Sequence, residues 1–255
     1  MAANTGTIPY TIRGSGEKAL VYLHGFFDEG KIWDPVIERV AVPGYASVTL
    51  DLPGMGALSD WEGDFSLRSI ADEVSKVVRE LSKPVVVIGQ SMGTQIAELV
   101  AWDLPEQVIG ICMVTPIPLA GLPVPPEVRE IMLSQGGNEM VLRQGRIQMI
   151  PGATDEALDD MVETAMKVKP SSAKAIFEAW SSGDPAGKSE QAPEVPALMI
   201  VGSVDPFAPP DLVNGYIAPR YKKVTVEVLD GICHWAHVQS PEKVADLISR
   251  FVAAL

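Results

Sequence analysis

Six short runs of aliphatic and β-branched residues divide the chain, and stretches with helical spacing fill most of the gaps between them. The runs are Ala19-Leu20-Val21-Tyr22-Leu23, Ala46-Ser47-Val48-Thr49-Leu50, Val85-Val86-Val87-Ile88, Val108 to Val114, Ala197-Leu198-Met199-Ile200-Val201 and Val224-Thr225-Val226-Glu227-Val228. Short apolar runs of this kind suit strands buried on both faces, which requires a sheet with helices packed on either side. A helical stretch from Trp33 to Val40 follows the first run. Ser66 stands as the N-cap of a helix whose apolar residues recur at Ile70, Val74, Val77 and Leu81. A further helix ends near Leu104-Pro105, and a last one runs from Pro241 to Leu255. The alternation predicts an α/β fold built on a doubly wound, mostly parallel sheet.

The rhythm lapses from Pro116 to Gly187. Pro116, Pro118, Pro123, Pro125 and Pro126 open this region, and Gly136, Gly137, Gly145, Pro151, Gly152 and Pro170 cut the rest into short helical pieces. The expected division is a core of residues 1–115 and 188–255 with a helical insert at 116–187. Such an insert reads as a cap over the sheet, although a plain surface excursion would have the same pattern. There are no internal repeats and no low-complexity tracts.

The charge balance narrows the partners. A formal net charge of −13 repels phosphate backbones and anionic membrane surfaces, so neither nucleic acid nor membrane is an expected partner. Cys112 and Cys233 are too few for a disulfide framework and too far apart for a metal motif. The opening Met1-Ala2-Ala3-Asn4-Thr5-Gly6-Thr7 lacks the apolar stretch of a secretory signal, and no apolar run approaches the ~20 residues of a membrane span. The expectation is a cytoplasmic protein without metal or cofactor, acting on a small molecule; the oligomeric state is not legible.

Gly89-Gln90-Ser91-Met92-Gly93 fits Gly-x-Ser-x-Gly, and it lies between an apolar strand and a helix, as a nucleophile elbow requires. The glycines let strand and helix approach closely around a residue in strained geometry, which lifts the Ser91 hydroxyl above the sheet edge. A hydroxyl becomes a useful nucleophile only when a base takes its proton. Three histidines are available: His24, His234 and His237. His234 follows the last strand, where a loop can reach the elbow, and His237 is expected to pack or to lie on the surface. Asp205 follows the strand ending at Val201 and emerges at the same sheet edge, so it is the expected partner of the base. Asp211 falls on the next helix, near its N-terminus.

Together, His24-Gly25-Phe26, Asp51-Leu52-Pro53-Gly54-Met55-Gly56, Gly89-Gln90-Ser91-Met92-Gly93, Gly202-Ser203-Val204-Asp205-Pro206 and Gly231-Ile232-Cys233-His234-Trp235 resemble the α/β-hydrolases, in particular their small, capped, serine esterase-like branch. The resemblance runs nearly end to end, and the order Ser91, Asp205, His234 is the one that fold uses. It implies a catalytic triad of these three, a cap inserted after the sixth family strand, and an oxyanion hole made by the backbone N–H groups of Phe26 and Met92. The implied reaction is hydrolysis of a neutral, largely apolar ester or lactone through an acyl-enzyme. Related dehalogenases and epoxide hydrolases carry aspartate where this chain has Ser91, and hydroxynitrile lyases carry lysine where it has Trp235. Carbon–carbon hydrolases and cofactor-free perhydrolases share the triad and stay open as alternatives, as does a triad-retaining small-ligand receptor. Phe177, Trp180 and Phe207 are candidate pocket residues. They and Met132, Met140, Met149, Met161 and Met166 either line an apolar pocket or simply pack the insert onto the sheet.

Overall fold

The computed structural model describes residues 6–255. The reading of the first seven residues as lacking a secretory stretch lies mostly outside them. Its strands are β1 (Tyr10–Arg13), β2 (Lys18–Leu23), β3 (Tyr45–Leu50), β4 (Val85–Gln90), β5 (Val108–Val114), β6 (Ala197–Gly202) and β7 (Val224–Leu229). They form one sheet in the order β1-β3-β2-β4-β5-β6-β7, parallel throughout except for β1, which runs antiparallel to β3. The expected doubly wound α/β sheet is present. The edge strand β1 was not expected from sequence: three of its four residues are exposed, so it carries no apolar run.

Alternation along the strands decides which helix covers which face. Leu20, Tyr22, Val86, Ile88, Leu198 and Ile200 point to one side, where they pack on α1 (Asp34–Ile37), α9 (Ala236–Gln239) and α10 (Pro241–Ala253). Val21, Leu23, Val85, Val87, Met199 and Val201 point to the other, against α2 (Leu67–Leu81) and α3 (Met92–Asp103). Helix α2 buries Ile70, Val74, Val77 and Leu81 as its spacing predicts, and the Ser66 hydroxyl accepts from the Ser69 amide at 3.2 Å to cap it. The helix expected over Trp33 to Val40 is shorter than its pattern. A 3-10 turn at Gly30–Trp33 passes directly into the single turn of α1. Pro35 sits in the first turn of α1 and has no N–H to extend an α-helix backwards. Trp33 is fully buried all the same, tilted against Tyr22 at 5.4 Å.

Four helices, α4 (Pro126–Ser134), α5 (Glu139–Met149), α6 (Asp155–Met166) and α7 (Pro170–Ser182), fall between β5 and β6. Counted along this chain the insert therefore follows the fifth strand of its sheet. Helix α5 packs on α6 and α4 on α7. The insert is tied to the start of α3: the buried Gln95 amide donates to the carbonyls of Pro118 at 2.8 Å and Trp180 at 3.0 Å. The Ile117 amide donates to Thr94 Oγ1 at 3.1 Å. The single turn α8 (Pro210–Leu212) follows β6 and carries Asp211 in its first turn. Among the described residues no helix is long and apolar enough to cross a membrane.

Candidate active site

Ser91 stands between β4 and α3 with φ 51° and ψ −122°, a left-handed conformation that costs a non-glycine residue roughly 1–3 kcal/mol. The neighbouring glycines explain how the turn closes. A Cβ on Gly89 would sit 2.3 Å from the Gly93 carbonyl oxygen, and one on Gly93 would sit 2.6 Å from that of Leu23. No side chain fits at either position, so β2, β4 and α3 meet closely there. The Ser91 amide donates to Val114 at 3.1 Å, and its carbonyl accepts from the Thr94 amide at 2.9 Å. Both backbone groups are thus satisfied and the hydroxyl is left to project.

His234 Nε2 lies 2.8 Å from Ser91 Oγ, and His234 Nδ1 lies 2.8 Å from Asp205 Oδ2. A carboxylate only accepts, so Nδ1 carries the hydrogen and Nε2 is the free acceptor facing the serine. The other Asp205 oxygen accepts from the amides of Phe207 at 2.8 Å and Ala208 at 3.1 Å. Burial pushes the Asp205 carboxyl up, but the imidazole and these two amides outweigh it and hold it below the usual carboxylate range. The structure therefore brings the three predicted residues together from the carboxyl ends of β4, β6 and β7.

The other histidines stay apart from this chain of hydrogen bonds. His24 is buried: its Nε2 accepts from the Leu52 amide at 2.9 Å and its Nδ1 pairs with the Gly25 carbonyl at 2.8 Å. It fixes the turn that leads to Phe26. His237 is fully buried against Trp33, with ring centres 4.5 Å apart and neither ring nitrogen partnered among the described residues. It packs, and it does not reach the surface. Cys233 is buried beside His234, with its thiol pushed up by burial.

Several residues of the site were missed by the sequence reading. The buried Gln90 side chain and Thr115 hydroxyl both donate to the His234 carbonyl, at 3.0 and 2.8 Å. They hold His234 from behind. A polar residue closing an otherwise apolar strand, as Gln90 does, was the available signal. Asp28 accepts from Arg146 Nη2 at 2.8 Å through Oδ1 and from Trp235 Nε1 at 2.9 Å through Oδ2. The Arg146 guanidinium lies over the Trp235 ring at 4.2 Å. Through Asp28 this cluster ties the turn after β2 to the insert and to the histidine loop, 118 and 207 residues further along the chain, and no local pattern announces it.

A cavity of about 220 Å³ opens above Ser91 and His234. Its walls come from the core (Phe26, Phe207, Trp235) and from the insert (Met132, Leu142, Met149, Trp180). Trp180 and Phe207, two of the three candidate pocket residues, line it. Phe177 does not: it is fully buried behind Trp180, edge-on at 5.2 Å, with Arg129 over its ring. One helical turn separates the two aromatics, and only the later one reaches the wall. Met132 and Met149 line the cavity, whereas Met161 is buried away from it and Met140 and Met166 are exposed. The amides of Phe26 and Met92 have no hydrogen-bond partner among the described residues. A Cβ on Gly25 would lie 3.3 Å from the Ser91 Cβ, which puts the turn bearing Phe26 beside the serine.

A family model described as an alpha/beta hydrolase family matches residues 20–247. A curated relative is the pimeloyl-[acyl-carrier protein] methyl ester esterase of Yersinia pseudotuberculosis, 33% identical over 105 residues. That match covers 41% of this chain and 39% of the esterase, so it spans about two fifths of the relative. Among solved structures, an esterase from Exiguobacterium antarcticum and a bromoperoxidase from Bacillus anthracis each superpose with a TM-score of 0.85 at 16% identity, covering 96% of this chain and 94% of theirs. At that identity the likeness is one of fold.

Proposed function

The chain belongs to the alpha/beta hydrolase family, and on that footing we propose that it is a serine hydrolase cleaving a neutral, largely apolar carboxylic ester or lactone. The observation that carries this reading is the unbroken hydrogen-bonded line from Ser91 Oγ through His234 to Asp205, 2.8 Å at each step, at the floor of an apolar cavity. His234 Nε2 takes the Ser91 proton as Oγ attacks the carbonyl carbon. The resulting oxyanion is received by the Phe26 and Met92 amides, which have no other partner among the described residues; one such donor contributes ~10²–10³ in rate elsewhere. The imidazolium, stabilised by Asp205, then protonates the leaving alcohol. Water enters, gives a proton to His234 and attacks the acyl-enzyme, and Ser91 leaves with that proton as the acid is released. The ester-acting relatives support this assignment, and the apolar walls favour uncharged acyl and alcohol groups.

The test is kinetic. Over a panel of p-nitrophenyl esters of graded chain length, Ser91→Ala and His234→Ala should each lower kcat by ~10⁴ or more while far-ultraviolet circular dichroism and the melting curve stay native-like. Multiple turnovers per chain by the wild type separate an enzyme from a receptor. Wild-type-like hydrolysis by Ser91→Ala would sink the reading.

A further inference from the structure

Helix α5 runs unbroken through Gly145, although glycine destabilises a helix interior relative to alanine. Two ordinary reasons for a helical glycine are absent. Its φ is not positive, so the backbone requires no special residue. Nor does a neighbour press against it. Beyond its own stretch of helix, a Cβ built there would meet one atom within 4 Å, Gln135 Nε2 at 3.4 Å, an ordinary contact with the end of a flexible side chain. What the glycine provides is space, and Gly145 and Gln135 both line the cavity above Ser91.

That space lies at the cavity's mouth. Helices α4 and α5 pack on different partners, α7 and α6, and each supplies part of the cavity lining. Ile131 of α4 is 55% exposed and Gln148 of α5 is exposed as well, yet both belong to that lining. The cleft between α4 and α5 is therefore where the cavity reaches solvent. The rest of the lining from these helices includes the apolar Met132, Leu142 and Met149.

We propose that the longer chain of the ester leaves the cavity through this cleft, passing over Gly145, and that Gly145 is the specificity-determining residue for chain length. The preferred substrates are then esters carrying one extended, unbranched apolar chain. This rests on the serine-hydrolase reading and narrows its substrate class. A side chain in place of Gly145 would stand between α4 and α5 and stop such a chain short. A short ester, held near Ser91, would not meet it.

The experiment compares Gly145→Leu with the wild type on two ester series. One lengthens the acyl chain in p-nitrophenyl alkanoates, and the other lengthens the alcohol in alkyl acetates, each kept below its micelle concentration. In one series the wild-type kcat/KM should rise with chain length. In Gly145→Leu the long members of that series should lose tenfold or more, while the shortest stay within a few-fold of wild type. The melting temperature should not fall, because leucine favours the helix more than glycine does. Stability and long-chain activity thus part company, which a purely structural role for Gly145 would not produce. Gly145→Ala, one methyl larger than glycine, should move the profile the same way by a smaller step, and it decides the matter if the leucine variant fails to fold. A folded variant with an unchanged chain-length profile in both series would overturn the proposal. So would a loss spread evenly over all lengths, or a wild type that favours the shortest chain in both series. Failure of the underlying reading looks different: the wild type would hydrolyse no ester and would not react with a serine-directed phosphonate.

Discussion

His234 and His237 lie three residues apart and are both buried, yet they differ in every partner. His234 is held at three points, by Asp205, by Ser91 and, through its carbonyl, by Gln90 and Thr115. The His237 ring packs on Trp33 and has no hydrogen-bond partner among the described residues. Burial drives the His237 imidazole down to about 3 from its ordinary 6.5, so it stays neutral in the folded state. Between those values the unfolded chain binds the proton and the folded one does not. The stability tied to neutral His237 is therefore complete above pH 6.5 and drains away as the pH falls towards 3. By pH 5 the loss should be on the order of 2 kcal/mol. His237→Leu should remove that share of the acid sensitivity, read as urea midpoints at pH 7 and pH 5, while ester turnover stays within a few-fold of wild type. Equal acid slopes in the two proteins, or a collapse of turnover in the variant, would contradict the assignment of His237 to packing.

At the scale of elements, the strand–turn–helix around Ser91 is the most constrained piece of the fold. Gly93→Ala would push its Cβ to 2.6 Å from the Leu23 carbonyl oxygen and 2.7 Å from that of His24. Relief requires α3 to move away from β2, and with it the Met92 amide from the Phe26 turn. The variant should lose about 2–3 kcal/mol of stability and also kcat, with little change in KM. Loss of stability with full kcat would mean that the spacing of the two amides does not matter. This element was legible from sequence because glycine spacing and the flanking strand and helix are local signals. The same holds for the six strands that carry runs of aliphatic and β-branched residues, and for α2, where Ser66 and the spacing from Ile70 to Leu81 agree. Edge strand β1 was not legible, since Tyr10–Arg13 buries almost nothing and is held by pairing with β3. The helix at Trp33 was overread, because a buried tryptophan and a buried valine suggest an amphipathic face that Pro35 does not let the backbone extend.

On the scale of the whole molecule, the sheet and the insert each supply half of the site. The sheet edge carries Ser91, Asp205 and His234, and α4, α5 and α7 carry the far wall of the cavity. The Ser91–Asp205–His234 grouping could be read from sequence because each member follows its own strand. The pairing of Asp28 with Arg146 could not, because it depends on how α5 lands on the turn after β2. Trp180 serves both packing and lining: it meets Phe177 edge-on at 5.2 Å on one side and the cavity on the other. Trp180→Leu should therefore lower the melting temperature and also shift the preferred ester chain length, with about 1–3 kcal/mol of discrimination gained or lost per methylene. A uniform rate loss across the ester panel would assign Trp180 to packing alone. The central claim, that Ser91 is the nucleophile served by His234, is tested most directly by titrating the protein with a p-nitrophenyl phosphonate and mapping the label. One nitrophenolate should be released per chain, the phosphonyl group should sit on Ser91, and ester hydrolysis should fall in proportion to labelling. Label on another residue, or undiminished hydrolysis by fully labelled protein, would contradict it.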